Sequence, residues 1–517
     1  MGAKSPTPTN YFNGTIDEVR IHSRALTPAE INASYTAGLH RLKANFTNLT
    51  DGTYTYTAYA QDLAGNVNNT ETRTITIDTT NPFINFTSPT EQNNTYTNKN
   101  HTCVNTTITD AGSPNNLTAL IDWNRSLVGW WRFNQETGEN STFFRDWSTY
   151  GNNATNHSNP TYTTGKFGKA LQFDGTDDYI DCGNDSSPNP SGNPFTYEIW
   201  LKNSDSSPSD WPYIFGTGNT HTYYGFYQTT GDTTLYWEWG LSPYDGSSWT
   251  AISLGSMGTD EWHHALVTYD GNNFTSYFDG NYIEVKAATP NPSILGVRLG
   301  TAWGSFFNGS IDEVRIHNRA LSPEEINASY NAGIHRLYHN FTDLAEGVYT
   351  YTAYAQDITG NVNSTETRTI TIDTTPPQFS APTNIKPDTA YTNDNLTCNF
   401  TAYDNNNGLK ANITWYNNSV HIPSLDELEI SLTNNTNHDA RITLSGNTSK
   451  YETWSCNVTI YDTSGNTANS SDATTIRNTP PTAPATINIL PAGAVYTNTT
   501  IICTASGSDD DDNDHRD

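Results

Sequence analysis

Hydrophobic and polar positions alternate along the chain in short stretches that end at Gly, Asn, Asp or Pro. The stretches WSCNVTIYDTSGN and EWHHALVTYDGNN show this period of two, which places every second side chain on the same face of a β-strand. Thr, Val, Ile and Tyr are frequent within the stretches, as is typical of strands. The pattern predicts an all-β protein made of many short antiparallel strands.

One type of segment departs from this alternation and predicts a short helix. In ALSPEEI, Ser322 is placed to cap the helix and Pro323 suits its first turn. Glu324 and Glu325 lie near the positive end of the helix.

A long internal repeat organises the chain. FNGTIDEVRIHSRALTPAEINASYTAGLHRL begins at Phe12, and FNGSIDEVRIHNRALSPEEINASYNAGIHRL begins at Phe307. The similarity continues to Pro82 in the first copy and to Pro377 in the second. Two copies of one composite module are therefore predicted.

A second repeat marks the start of three sandwich domains. TYTNKNHTC ends at Cys103, AYTNDNLTC ends at Cys398, and VYTNTTIIC ends at Cys503. The first copy of the long repeat begins in mid-module, and the third Cys-bearing strand runs into SGSDDDDNDHRD. We therefore expect the chain to be a window on a longer tandem array.

Residues 378–480 resemble one complete immunoglobulin-like sandwich. Cys398 and Cys456 flank Trp415, and this order resembles the Cys, Trp, Cys pattern of that family. Trp454, rather than Tyr, stands two residues before the second cysteine. In an oxidising compartment Cys398 and Cys456 are expected to form a disulfide; the alternative is two buried free thiols.

A further sandwich is predicted to be split by an insertion. IDWNRS at Trp123 matches ITWYNNS, but the later strands of the sandwich return only in VYTYTAYAQDITGN at 348–361. Aligning the Gly-Asn pairs places Tyr351 where the complete sandwich has Cys456. The cysteines left without a predicted partner are Cys103, Cys182 and Cys503.

The insertion between Leu127 and Gly333 has its own pattern. Its hydrophobic stretches are, in order, LVGWWRFN, FRDWSTYGNNATNH, GKFGKALQFDGTDDYIDCG, FTYEIWLKNS, EWHHALVTYDGNNFTSYFDGNYIEV, VRLGTAW and FFNGSIDEVRIHNRALSPEEI. Together they resemble the laminin-G-like, concanavalin A-like lectin family over nearly the whole insertion. The resemblance implies a jelly-roll sandwich that acts as a binding domain.

These features predict a laminin-G-like jelly-roll sandwich inserted in a tandem array of immunoglobulin-like β-sandwiches. The predicted segments are 1–38, the C-terminal remnant of a laminin-G-like domain; 39–81, the C-terminal half of an immunoglobulin-like sandwich; 82–126 plus 334–377, a discontinuous immunoglobulin-like sandwich; 127–333, the laminin-G-like domain; 378–480, an immunoglobulin-like domain; and 481–517, the truncated start of another.

Related folds include glycosidases, so the presence or absence of a pair of carboxylates decides whether catalysis is expected. Retaining hydrolysis needs two carboxyl groups about 5 Å apart. Glu198 stands alone in TYEIWLKN, and Glu238 is flanked by Trp237 and Trp239. We therefore predict a protein without catalytic activity.

The resemblance also implies a Ca²⁺ site near the meeting point of the first and last strands. The acids at matching positions are Asp146 and Asp312, and carboxylate oxygens are suitable ligands for this ion. Regular alternation in SIDEV would place Asp312 and Val314 on one face and Glu313 on the other. The alternative is that both aspartates cap turns. A further set of acidic residues is more typical of a turn and loop than of a metal site; it contains Asp174, Asp177 and Asp178.

For glycan binding, the aromatic stretch between Trp211 and Trp249 is the best candidate, because sugar rings stack on aromatic faces. The named candidates are Trp211, Tyr223, Tyr224, Tyr236, Tyr244 and Trp249. In LYWEWG the face of Leu235 is expected to be core, which leaves Tyr236 and Glu238 on the exposed face. About half of the aromatics in the stretch should be packing residues. Structural roles are expected for His263, His264 and His317.

The formal net charge of −29 makes nucleic acid and anionic membranes poor partners. No run of about 18 apolar residues is present, so no membrane insertion is predicted for this segment. The chain has 29 Asn-x-Ser/Thr sequons, which allow N-glycosylation, although an Asn/Thr-rich chain creates many by chance. Examples are Asn13, Asn85, Asn124, Asn308, Asn399 and Asn457.

The composition suits an extracellular or cell-surface protein. The function predicted from the sequence is adhesion or binding, with a glycan or a surface glycoprotein as partner. The alternatives are a structural surface-layer or stalk protein, and an accessory region of a secreted polysaccharide-degrading enzyme.

Overall fold

The structure is a computed structural model in which strands account for 52% of residues and helices for 5%, which confirms the all-β class. The described residues are 12–35, 42–112, 117–185, 187–188, 193–219, 222–241, 250–287, 296–302, 304–331, 336–392, 394–406, 408–442, 448–480, 487–490 and 500–505. The chain divides into two compact units, Met1–Thr79 and Thr80–Asp517.

The first unit contains one helix and four short strands in its described part. They are α1 (Pro28–Tyr35), β1 (Gly52–Tyr56), β2 (Tyr59–Gln61), β3 (Val67–Asn69) and β4 (Arg73–Ile77). Strand β1 pairs with β4, and β2 pairs with β3, both antiparallel. Thr27 and Glu30 form a reciprocal cap at the start of α1, with the Thr27 amide 2.8 Å from a Glu30 carboxylate oxygen.

The second unit begins with strands of an immunoglobulin-like sandwich, here called the host sandwich. They are β5 (Phe83–Phe86), β6 (Thr95–Thr97), β7 (Thr102–Thr109) and β8 (Leu117–Trp123). After Trp123 the polypeptide leaves this sandwich and enters the insertion.

The described strands of the insertion lie in two sheets that face each other. One sheet contains β9 (Leu127–Trp131), β12 (Thr161–Thr164), β13 (Lys169–Asp174), β15 (Phe195–Asn203), β20 (Trp262–Tyr269), β21 (Asn273–Phe278), β22 (Asn281–Ala287) and β26 (Asn308–His317). The other contains β10 (Phe143–Phe144), β11 (Ala154–His157), β14 (Tyr179–Asp181), β16 (Tyr213–Asn219), β17 (Thr222–Gln228), β18 (Thr234–Leu241), β19 (Thr250–Ser256), β23 (Val297–Leu299), β24 (Thr301–Ala302) and β25 (Ser305–Phe306).

A single apolar core fills the space between these two sheets. Alternate positions of both sheets supply it, as expected for a sandwich. Among its members are Trp131, Phe173, Ile199, Phe215, Tyr224, Trp237, Leu254, Phe274, Ile311 and Val314. Helix α2 (Pro323–Asn331) follows the last strand, and Ser322 caps it by accepting from the Glu325 amide at 3.3 Å.

The polypeptide then returns to the host sandwich. Its strands there are β27 (Arg336–Phe341), β28 (Gly347–Asp357), β29 (Val362–Ser364) and β30 (Arg368–Ile372). Strand β7 lies between β5 and β27, β28 pairs with β8, and β30 pairs in parallel with β6. Strands from both sides of the insertion thus share two sheets.

A second immunoglobulin-like sandwich follows. Its elements are β31 (Gln378–Lys386), β32 (Leu396–Tyr403), β33 (Lys410–Asn417), β34 (Val420–His421), a 3₁₀ turn (Pro423–Leu425), β35 (Glu427–Ser431), β36 (Asn437–Ile442), β37 (Thr453–Tyr461) and β38 (Thr467–Thr475). Two further strands, β39 (Ile487–Leu490) and β40 (Ile502–Ala505), pair with each other.

The two immunoglobulin-like sandwiches differ in how they join their sheets. In the second, Cys398 and Cys456 form a disulfide, and Cys456 lies opposite Trp415 in the strand register. In the host sandwich Tyr351 lies opposite Trp123, and the two rings stack with centroids 5.6 Å apart. The Tyr351 ring also crosses to the facing sheet, where it contacts Phe86 edge-on with ring centroids 5.3 Å apart, so an aromatic contact stands where the second sandwich has its disulfide. The thiols of Cys103, Cys182 and Cys503 are free.

Candidate ligand-binding site

Three aromatic rings form a stack on the outer face of the sheet that contains β16, β17 and β18. The Trp211 ring lies 5.7 Å from the Tyr227 ring at an interplanar angle of 5°, and the Tyr227 ring lies 5.5 Å from the Tyr236 ring at 20°. Trp211 is 40% exposed and Tyr236 is half-buried, whereas Tyr227 between them is buried. We call these three residues the aromatic face.

Alternation along the strands explains why the rings point outward. On β17 Tyr227 alternates with the core residues Tyr224 and Phe226, and on β18 Tyr236 alternates with Leu235 and Trp237. The sequence-based assignment of the Leu235 face to the core agrees with these positions.

A buried carboxylate lies beside the aromatic face. The Tyr213 hydroxyl donates to Oε1 of Glu238, and the side chain of Glu238 is 1% exposed. Burial raises the pKa of Glu238 to about 7, although the bond from Tyr213 opposes this shift. The expectation that Glu238 is exposed is therefore wrong, because the Tyr213 ring covers it from the neighbouring strands.

Gly225 makes room for this arrangement. A Cβ atom on Gly225 would lie 3.1 Å from Cδ1 of Tyr213 and 2.7 Å from the carbonyl oxygen of Phe215. Gly225 is also the cross-strand neighbour of Glu238 on β17. Glycine at this position lets the Tyr213 ring reach across the strand to the carboxylate.

The remaining glycan candidates divide into two groups. Tyr224 is 2% exposed and packs parallel to Trp237 in the core, with ring centroids 6.2 Å apart. Its assignment to the glycan surface is wrong, since its position on β17 turns it inward. The candidates whose side chains lie outside the described residues are Tyr223, Tyr244 and Trp249.

A buried polar network lies on the other sheet, between the insertion, α2 and the host sandwich. Arg315 on β26 donates to Glu198 at 2.8 Å and to Glu313 at 2.9 Å. It also donates to Gln356 of the host sandwich at 2.9 Å and to Ser329 of α2 at 2.9 Å. We call these five residues the latch.

Two more side chains close the latch from the insertion. The indole nitrogen of Trp130 donates to Glu313 at 2.7 Å, and Nε2 of His264 lies 3.1 Å from Glu198. Glu198 thus binds Arg315 and His264 in a buried site rather than facing an open groove. The structural role expected for His264 agrees with this position.

Comparison with known families fits this architecture. Residues 174–327 match the model of the concanavalin A-like lectin/glucanases superfamily, laminin G type, and residues 8–79 match the model of a bacterial Ig-like domain. The insertion carries a laminin-G-like domain. The boundary at residue 38, which lies within the second match, stays a prediction. No curated protein sequence matches the chain.

Several solved structures are similar to the chain over part of its length. Domain 4 of AbnA, a GH43 extracellular arabinanase from Geobacillus stearothermophilus solved with arabinotriose, is 20% identical, with 40% of this chain and 98% of that chain covered and a TM-score of 0.32. The botulinum neurotoxin serotype D binding domain is 13% identical, with 40% and 51% covered and a TM-score of 0.32. Trypanosoma rangeli sialidase with sialic acid is 15% identical, with 40% and 32% covered and a TM-score of 0.32. These values are too low to indicate a shared ligand or activity.

The two aspartates proposed as calcium ligands lie in different settings of the laminin-G-like domain, Asp146 in a loop and Asp312 within β26. Asp146 accepts from the amides of Trp130 at 2.8 Å, Ser148 at 2.8 Å and Asn152 at 2.7 Å. Asp312 accepts from the amides of two residues, Lys166 at 2.8 Å and Phe167 at 2.9 Å. Both have the contacts of turn caps, and among the described residues neither belongs to a group of three ligands close enough to share an ion.

A bulge in β26 changes the predicted facing of its residues. Glu313 has φ +47°, and the β15–β26 register shifts at this point. Ile311 and Val314 therefore both enter the core, and Asp312 no longer shares a face with Val314. Burial, followed by the charge of Glu313, raises the pKa of Asp312 well above its ordinary value.

Two groups of three aspartates stand out within the second unit. Asp174, Asp177 and Asp178 lie at a turn, where Asp174 accepts from the Thr176 amide at 2.8 Å. Asp373, Asp404 and Asp462 are all buried at the junction of the host and second sandwiches, with carboxylate oxygens within 4.8 Å of one another. Burial, and then the charges of Asp373 and Asp462, raise the pKa of Asp404.

The two other histidines considered from the sequence, His263 and His317, lie within strands of the laminin-G-like domain. Nδ1 of His263 lies 2.8 Å from the Asp279 carboxylate, which raises the pKa of His263. His317 is buried, and burial lowers its pKa to about 3.

No helix in the described part of the chain has the length and apolar character needed to cross a membrane.

Proposed function

We propose that the chain is an extracellular or cell-surface binding protein whose laminin-G-like domain binds carbohydrate through the aromatic face. The observation that carries this proposal is the ordered stack of Trp211, Tyr227 and Tyr236 on an outer sheet surface. The C–H faces of a sugar ring pack on such rings, and Trp211 keeps 40% of its surface accessible for that contact.

Binding without catalysis is part of the same proposal. Retaining hydrolysis requires two carboxyl groups about 5 Å apart. The cross-strand neighbours of Glu238 are Gly225 and Ala251, neither of which has a carboxylate. Glu198, the other acid considered from the sequence, is paired with Arg315 in the latch.

Glu238 supports the site from beneath rather than contacting a ligand. Its buried carboxyl group accepts the Tyr213 hydroxyl, in either protonation state, and so holds the Tyr213 ring beside the aromatic face.

A glycan array probed with the intact chain tests the proposal. We expect binding to a restricted set of glycans or surface glycoproteins, lost in the Trp211→Ala variant and kept in Tyr282→Ala, whose ring is 56% exposed on β22 of the opposite sheet. Arrays run with calcium and with chelator show whether Ca²⁺ assists. Absence of binding to every glycan would contradict the proposal.

A structural role in a surface layer or stalk is the second candidate function. The latch favours it, because a buried network that joins the laminin-G-like domain to the host sandwich fixes their mutual orientation. In that case the chain would bind no glycan on the array. Substitutions in the latch would then lower the stability of the protein without any effect on ligand binding.

A further inference from the structure

A cavity of about 170 Å³ lies where the laminin-G-like domain, helix α2 and the host sandwich meet. All three parts contribute to its wall: the laminin-G-like domain supplies Lys166 and Phe167, the end of α2 supplies Tyr330 and Asn331, and the host sandwich supplies Thr118 and Ile358. The aromatic face belongs to the other sheet of the laminin-G-like domain. The junction cavity is therefore separate from the aromatic face.

A short loop between β12 and β13 carries Lys166 to this junction. The Lys166 amide donates to Asp312 of β26 at 2.8 Å, and the Gly168 amide donates to the carbonyl oxygen of Ile358 in the host sandwich at 3.0 Å. Gly168 has φ +69°, and a Cβ atom there would lie 2.8 Å from the carbonyl oxygen of Thr359. Glycine thus allows the loop to approach the host sandwich, and the loop is bound to both domains.

Lys166 brings a positive charge that has no direct counter-ion. Among the described residues no carboxylate oxygen lies within 4.0 Å of Nζ of Lys166. Nζ lies instead 4.4 Å from the centre of the Trp200 ring, which stacks on the Tyr330 ring at 5.6 Å. The acid whose charge reaches Lys166 is Asp279, and its carboxylate is engaged by Nδ1 of His263 at 2.8 Å. Burial lowers the pKa of Lys166 despite Asp279, so an anion in the cavity would stabilise the charged lysine.

Thr118 brings a buried hydroxyl group that has no partner. Its side chain is 3% exposed, and Oγ1 makes no hydrogen bond. Its neighbours on β8, Leu117 and Ala119, enter the core of the host sandwich, so Thr118 lies on the outer face of the strand. A buried hydroxyl without a partner typically costs about 1–3 kcal/mol. A ligand oxygen in the cavity would remove this cost.

The size and the wall of the cavity indicate what fits there. Cavities of about 150 Å³ hold one six-membered ring. Phe167 and Ile358 offer apolar surface for C–H groups, and Tyr330 and Asn331 offer polar groups for hydroxyls. Among the residues that line the cavity, Lys166 is the cation, and one ammonium group matches the single charge of a carboxylate better than the two charges of a phosphate.

We infer that the junction cavity is a second ligand site, which binds the carboxylate of an acidic sugar residue such as the terminal uronic acid of a glycan. Lys166 pairs with the carboxylate, the Thr118 hydroxyl donates to it, and the sugar ring fills the space beside Ile358. This site does not rest on the aromatic face, since the two lie on different sheets. A ligand bound here contacts the laminin-G-like domain and the host sandwich together.

A ligand-observed NMR titration of the intact chain tests the inference, with methyl β-glucuronide as the probe and methyl β-glucoside as its neutral counterpart. We expect the glucuronide to bind and the glucoside not to bind. Lys166→Met keeps an unbranched side chain without the charge and should weaken binding by about tenfold or more. Lys202→Met is the matched control, because Nζ of Lys202 also lies over an indole ring, 5.5 Å from the centre of Trp262. This control should keep the affinity of the wild-type chain.

Thr118→Val is a second variant that does not disturb the charge. It removes the hydroxyl and keeps a side chain of similar shape, so binding should weaken by about fivefold or more. The melting temperature without ligand should not fall, since Oγ1 of Thr118 has no partner to lose. Unchanged binding in Thr118→Val would overturn the inference, even if Lys166→Met altered the fold.

The remaining outcomes also decide the inference. Failure of the glucuronide to bind, or equal binding of the glucoside, overturns it. Trp211→Ala should keep glucuronide binding, and a loss in this variant would place the ligand on the aromatic face instead. Equal affinity for lactate would assign the cavity to free hydroxy acids and overturn the choice of a sugar. A glycan array without signal, together with retained glucuronide binding, would contradict the role of the aromatic face and support the junction cavity.

Discussion

The Arg315 guanidinium lies 2.8 Å from the Glu198 carboxylate, and both side chains are buried between β26 and β15. Burial by itself would raise the pKa of Glu198, but the charge of Arg315 and the hydrogen bonds from His264 and Ser329 hold it well below its ordinary value. The ion pair is therefore kept in its charged form inside the protein.

Removing one partner of this pair should be costly. Arg315→Ala leaves Glu198 buried and unpaired, which typically costs about 3–5 kcal/mol of unfolding free energy. Urea denaturation followed by tryptophan fluorescence measures the effect. Arg298→Ala is the control, because Arg298 and Asp181 form an exposed pair at 3.7 Å and exposed pairs contribute about 0–1 kcal/mol. Equal losses in the two variants would contradict this account of the latch.

The same pair predicts acid sensitivity. Because the pKa of Glu198 is lowered in the folded state, its stabilising contribution is complete above the unfolded value of 4.5 and is lost as the pH falls below it. The melting temperature of the wild-type chain should therefore decline below about pH 4.5 more steeply than that of Glu198→Gln. Parallel curves for the two proteins would exclude this contribution.

Glu238 predicts the opposite slope at higher pH. Its pKa rises from 4.5 to about 7, so ionisation costs stability progressively between those values. Glu238→Gln keeps an oxygen for the Tyr213 hydroxyl and should stabilise the protein at pH 8 by roughly 3 kcal/mol, with no gain at pH 4. Urea denaturation at both pH values measures this, and equal effects at the two would rule out the shifted carboxyl.

Substitution of Gly225 should weaken ligand binding although it replaces none of the three rings of the aromatic face. Gly225→Ala places a methyl group against the Tyr213 ring, which must move away from Glu238. We expect weaker glycan binding, because the Tyr213 ring packs beside Tyr227 of the aromatic face, with ring centroids 5.7 Å apart. Tyr282→Ala, on β22 of the opposite sheet, is the control for binding.

The disulfide predicts a selective response to reduction. The Cys398–Cys456 bond closes a loop of 58 residues, for which chain entropy gives about 4 kcal/mol. Dithiothreitol should therefore destabilise the second sandwich and leave the host sandwich, where Tyr351 replaces a cysteine, unchanged. Limited proteolysis with mass spectrometry locates the change, and cleavage in the host sandwich first would contradict it.

The three buried aspartates at the sandwich junction predict a stabilising substitution. Asp404→Asn removes one of three neighbouring negative charges and should raise the melting temperature in calcium-free buffer at neutral pH. Asp388→Asn, whose side chain is 75% exposed, is the control. A decrease for Asp404→Asn in that buffer would show that repulsion is not the dominant interaction.

Much of the fold could be predicted because period-two alternation and internal repeats are local signals. The Leu235 face of β18 and the class of the insertion follow directly from that pattern. The correspondence of Tyr351 with Cys456 also follows from a repeat, and the register places both opposite a tryptophan.

The candidate site was harder to predict, because burial depends on what other strands bring. Tyr224 and Tyr227 are both buried tyrosines of β17. They differ only in the face of the strand on which they lie, Tyr224 on the inner face and Tyr227 on the outer face. Glu238 stands on the predicted outer face but is covered by the Tyr213 ring from β16. The bulge at Glu313, which moves Asp312 off the expected face, has no local sequence signal. The latch joins Arg315 to Gln356 across two domains. The alternation of hydrophobic and polar residues along the sequence carries no information about such a contact.

The parallel pairing of β6 with β30 has a mechanical consequence. Tension along the chain would enter the host sandwich at its first strands and leave it at β30, so it would load the β6–β30 hydrogen bonds in shear. Bonds sheared together resist force better than bonds peeled one at a time. Both ends of the laminin-G-like domain are attached to this one sandwich, so the domain would carry no load while those bonds hold, and its aromatic face would keep its shape under tension.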